Sequence, residues 1–105
     1  MTKELKRGVY RVFDAADGRS FVGYSLNLEG TLKRLRFELA LNACSYRPLQ
    51  EFYNIAKDAQ LETVEEYSPL PGMSEEETEA HVRALAFVWK SKLDGAQLIQ
   101  TPIVY

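Results

Sequence analysis

The chain of 105 residues contains one cysteine, one histidine and one tryptophan, and each scarcity closes off a class of function. Cys44 has no partner for a disulfide within the chain, and together with His81 it falls short of the four ligands of a structural zinc site. No apolar run approaches the roughly 20 residues that span a bilayer. The opening Met-Thr-Lys-Glu-Leu-Lys-Arg leads into no secretory hydrophobic segment. A cytoplasmic protein with no membrane partner is therefore expected.

What is present suits one small globule. A composition of 46% hydrophobic, 11% aromatic and 27% charged residues excludes disorder and collagen-like repeats. It fits a single domain over residues 1–105, with a core at about 7–93 and an apolar tail at 96–105. The net charge of −2 conceals an asymmetry: residues 1–50 carry nine basic and five acidic side chains, residues 51–105 four and ten. A pI of about 5.4 argues against indiscriminate polyanion binding, so any nucleic-acid face has to be local.

Val9, Arg11 and Phe13 alternate with Tyr10 and Val12, as in a β-strand. Asp17-Gly18 supplies a hairpin turn, and Arg19 to Tyr24 return antiparallel. Leu28, Leu32, Leu35 and Leu39 recur at helical spacing and predict a helix over about 29–41, with Lys33, Arg34 and Arg36 on its polar side. A shorter helix over about 48–57 starts with Pro48 in its first turn. Residues 61–67 suit a third strand of imperfect alternation, and the Pro- and Gly-rich stretch 68–73 reads as a loop. Ser74 with Glu77 is a capping-box pattern opening a helix over about 75–93, which Asp94-Gly95 ends. The tail, β-prone but interrupted by Pro102, reads as an edge strand or an interface arm. The expected class is α+β: a small antiparallel sheet of about three strands flanked by three helices.

Gly8-Val9-Tyr10, a polar turn, Phe21-Val22-Gly23, a basic helix, then Leu49-Gln50 with Asn54 and a final Trp-bearing helix occur in an order that resembles the GIY-YIG nuclease domain. The resemblance covers about residues 7–93. It implies a phosphodiesterase site in which two strand tyrosines and a helix arginine surround the scissile phosphate, while a glutamate of the last helix holds one divalent metal. Such hydrolysis needs a base for water, a cation against developing charge and a metal at the leaving oxygen.

Tyr10 matches the first tyrosine, as a vestigial catalytic residue, but Phe21 stands at the second and has no hydroxyl. The resemblance puts the arginine at position 31, which is Thr31; Arg34 lies about 300° further round an ideal helix. A histidine frequent four residues later in the family is replaced by Leu35, and alignment on Trp89 puts the metal-binding glutamate at Ala86. Glu79 and Asp94 are displaced from that position along the helix. Phe21, Thr31 and Ala86 thus imply a degenerate catalytic set, with no metal ligand and no cofactor. A magnesium-type divalent ion enters only if a rearranged site is active.

Other residues read more simply. Gly23 is expected to let its strand pass close to the helix. His81 reads as a surface residue, Cys44 as an unreactive thiol, and the Glu75, Glu76, Glu77 and Glu79 run as helix-start chemistry. The expected function is a catalytically degenerate GIY-YIG-like domain that retains a nucleic-acid or phosphate cleft between the hairpin and the first helix, with DNA or RNA bound through Lys33, Arg34 and Arg36, extended by Arg11, Arg19 and Arg47. The alternatives are a protein-interaction or homodimerisation module using Leu98 to Tyr105 and the acidic helix that begins at Glu75, and a nuclease rearranged around Tyr10, Arg34 and a displaced carboxylate.

Overall fold

The computed structural model describes residues 5–99. Strands β1 (Arg7–Asp14) and β2 (Ser20–Ser25) form the hairpin, followed by helices α1 (Leu28–Ala40) and α2 (Arg47–Ile55), strand β3 (Ala59–Tyr67), helix α3 (Glu75–Lys92) and strand β4 (Ala96–Leu98). The class is α+β.

The sheet corrects the expected count and direction. It has four strands in the order β3-β1-β2-β4, and it is mixed: β4 lies parallel to β2, pairing Ser20 with Ala96 and Val22 with Leu98. A helix rather than a hairpin turn connects β3 to β4, so the chain comes back alongside β2 in the same direction. Gly95, at φ 73°, makes the turn out of α3 that this return requires. The tail is thus a sheet edge through Leu98, and the stretch 100–105 lies outside the described residues.

Strand β3 shows why its sequence alternates poorly. Val9 pairs with Glu65 but Tyr10 pairs with Thr63, so Val64 is an extra residue on the edge strand and the side-chain alternation shifts there. Gly8 sits beside this irregularity, where a Cβ would collide with the Glu65 carbonyl oxygen.

Strand periodicity sorts the core onto two sides. Tyr10, Val12 and Phe21 pack with Leu28, Leu35 and Leu39 of α1, Leu49 and Phe52 of α2, Cys44 and Ile99. Val9 and Val22 face the other way, onto Ala86 of α3, with Tyr24, Val64, Leu85, Trp89 and Leu98 around them. The loop between α1 and α2 is tied by Gln50, which accepts from the Cys44 N–H at 3.0 Å and donates to the Leu39 carbonyl at 3.1 Å and to Asn54 at 2.9 Å.

Asp14 does a comparable job at the end of β1. Its carboxylate accepts from the Ala16 N–H at 2.9 Å and from the N–H groups of Lys57 and Asp58 at 3.2 Å, joining the hairpin to the α2–β3 connection.

Candidate functional site

Tyr10 stands directly opposite Gly23 across the β1/β2 pair, and its ring lies over the glycine. A Cβ at position 23 would meet the ring and hydroxyl of Tyr10 at 2.7 Å. This corrects the sequence expectation: the space at Gly23 is taken by a tyrosine of the neighbouring strand, not by a helix. Tyr10 is 1% exposed, and burial, reinforced by the Cys44 thiol, holds its phenol well above the usual range. A phenol so held keeps its proton to higher pH than a free tyrosine does. Burial likewise pushes the Cys44 thiol up, against a nucleophilic role.

Phe21 shares the Tyr10 side of the sheet, but its ring is engaged edge-on with Phe52, with centroids 5.2 Å apart, and with Tyr46 at 6.4 Å. Thr31, where the resemblance implies an arginine, is 3% exposed. Its hydroxyl is 2.6 Å from that of Ser25, itself the acceptor for the Asn27 N–H at 2.8 Å. A short hydroxyl chain therefore occupies the junction between β2 and α1.

Ala86, where the resemblance implies a metal-binding carboxylate, is fully buried against Val9 and Val22, on the opposite side of the sheet from Tyr10, Phe21 and Thr31. The acids and cations of a rearranged site do not converge either. Glu79 accepts from the Tyr24 hydroxyl at 3.2 Å on the α3 side, while Arg34 lies on the outer side of α1, 3.8 Å from Glu38. Burial, then the Glu79 charge, raises the Tyr24 phenol, against an opposing contribution from Arg83. Among the described residues no group of three His, Cys, Asp or Glu side chains could hold a metal ion. Ala86 itself offers no oxygen ligand at the position where the resemblance implies the metal-binding glutamate.

The cations divide in the same way. Lys33 and Arg36 are exposed on α1 and form no ion pair with another described residue. Arg11 lies on the α3 side, paired with Glu62 and stacked 4.0 Å from the Phe13 centroid, so it does not extend the α1 face. Arg19 pairs with Asp17 at 2.6 Å, and Arg47 opens α2 as an exposed residue.

The remaining singular residues are surface or packing groups. His81 stacks on Tyr67 at 5.9 Å. Trp89 lies over the sheet, its indole N–H donating to Glu65 at 2.7 Å and its ring 4.9 Å from the Lys92 ammonium. Sequence reading missed the Ser25–Thr31 pair and Asp14, because their partners come from other elements.

Two solved structures share this architecture. One is the catalytic domain of intron endonuclease I-TevI in a point-mutant form: 20% identity, TM-score 0.62, covering 86% of this chain and 86% of that one. The other is the catalytic domain of homing endonuclease I-TevI: 19% identity, TM-score 0.60, covering 91% of this chain and 100% of that one. The chain therefore has a GIY-YIG-like fold. No family model and no curated protein matches the sequence.

Proposed function

We propose that this GIY-YIG-like domain binds the phosphate backbone of nucleic acid across α1 and does not hydrolyse it. One observation carries the reading: the positions where the fold would carry a cation and a metal ligand are Thr31, closed by Ser25, and Ala86, closed by Val9 and Val22. Without a cation or a metal at the phosphate, hydrolysis loses groups each worth several kcal/mol of transition-state stabilisation. Support for retained binding comes from Lys33, Arg34 and Arg36, which give an otherwise acidic protein a local basic face.

Fluorescence anisotropy with labelled DNA and RNA at two salt concentrations, alongside a nicking assay with magnesium, tests both halves. Expected are binding that weakens steeply with salt, falls in a Lys33→Ala/Arg36→Ala variant, and leaves the substrate intact. Metal-dependent nicking by clean protein that disappears in Tyr10→Phe overturns the non-hydrolytic reading. Absence of binding at low salt overturns the phosphate-binding one.

A further inference from the structure

The buried stripe of α1 is Leu28, Thr31, Leu35 and Leu39. At about 100° per residue, Phe37 falls almost opposite the centre of that stripe, the most outward position on the helix. A helix ordinarily places charge there, yet Phe37 is 63% exposed. Lys33 and Arg34 precede it by four and three residues, so they flank the ring on the helix surface, and Arg36 adjoins it.

Gly30 and Ala40 supply almost no side chain at either end of this stretch. Together with Phe37 and the stems of Lys33, Arg34 and Arg36 they line, among the described residues, an open hollow of about 580 Å³. Its lining is predominantly apolar, as expected where an aromatic ring and methylene stems face it while the cationic heads reach toward water.

An apolar ring with cations beside it matches a ligand that alternates flat heterocycles with phosphates. In a duplex the base faces are stacked on one another and out of reach, while a single strand offers them. An anionic lipid surface shares the charge but calls for a broad apolar helix face, and that face of α1 is turned inward onto Tyr10 and Phe52.

We infer that the outer face of α1 is a single-strand platform, on which a base stacks against Phe37 while Lys33 and Arg36 hold the adjoining phosphates. This deepens, and rests on, the phosphate-binding reading of the same helix.

The test compares single-stranded and duplex DNA and RNA of equal length by anisotropy, using wild type, Phe37→Ala, Phe37→Leu, Phe37→Trp and Lys33→Ala/Arg36→Ala. Because Phe37 is exposed, these variants should keep the wild-type circular dichroism. Single strands should bind more tightly than duplex. Phe37→Ala and Phe37→Leu should weaken single-strand binding roughly 5- to 150-fold, the range expected for one stacked base. Phe37→Trp should retain it, duplex binding should change by less than about twofold across the three Phe37 variants, a range within ordinary surface effects, and Lys33→Ala/Arg36→Ala should weaken both single-strand and duplex binding.

If single strand and duplex bind alike, insensitive to Phe37 but lost in Lys33→Ala/Arg36→Ala, the platform is refuted and the phosphate reading stands. If no nucleic acid binds, both fall. Phe37-dependent adsorption to anionic vesicles, or Phe37-dependent dimerisation in sedimentation velocity, without a single-strand preference, assigns the ring to another occupant and overturns the inference.

Discussion

At the scale of single residues, Asp14 shows how much a turn residue can do unnoticed. In sequence it only opens Asp-Ala-Ala-Asp-Gly and reads as turn chemistry, because nothing local announces that Lys57 and Asp58 will bring their N–H groups to it. Those bonds, led by that from Ala16, hold its carboxyl below the usual carboxylate range against the opposing effect of burial. A carboxyl lowered in the folded state stabilises the fold above its unfolded pKa of about 4, and that contribution is lost as pH falls through the folded value. The urea midpoint of the wild type should drop on acidification below about pH 4, and Asp14→Asn should flatten that dependence. Identical acid profiles for the two proteins would remove Asp14 from the account. The same limit hid the Ser25–Thr31 pair: each hydroxyl was visible, their meeting was not. The meeting of Tyr10 and Gly23 is simpler, since the hairpin register alone sets them opposite each other.

At the scale of elements, periodicity did well wherever one face of an element is buried and the other wet. Helix α1 begins one residue before its expected start, and α3 runs from Glu75 to Lys92, against the expected 75–93. The N-cap of α3 was readable because a capping box is a purely local device: Ser74 Oγ accepts from the Glu77 N–H at 3.1 Å. Ser74→Ala should cost about 1 kcal/mol in urea unfolding, and a change indistinguishable from zero would show that the three glutamates of the first turn suffice alone. Strand β3 was harder because its extra residue, Val64, breaks the alternation, and its exposed Glu62, Glu65 and Glu66 belong to an edge strand. The direction of β4 was not legible at all. Parallel pairing with β2 depends on the path of α3 over the sheet, not on the three residues of the strand.

At the scale of the whole molecule, β4 closes the sheet across the longest span of chain. Ile99, whose N–H donates to the Val22 carbonyl at 2.9 Å, enters the core on the α1 and α2 side, while Ala96 and Leu98 pack on the α3 side. The stretch first taken as a tail therefore belongs, up to Ile99, to both layers. Ile99→Ala should destabilise the protein by about 2–5 kcal/mol, measured by chemical denaturation; a loss under about 0.5 kcal/mol, the scale of a surface change, would mean that β4 adds nothing to the core. The two-layer arrangement also explains why the site was only half readable. Sequence distance along α3 finds Ala86, but which side of the sheet it faces depends on how the helix packs.

The lone Trp89 sits entirely on one of those layers, bonded to Glu65 of the edge strand and overlain by Lys92. Its emission is therefore an optical gauge of α3 lying on the sheet and is blind to α1 and α2. Any event that loosens the hairpin from α1 alone passes unseen in tryptophan fluorescence while altering circular dichroism, so disagreement between the two signals would reveal the layers separating one at a time.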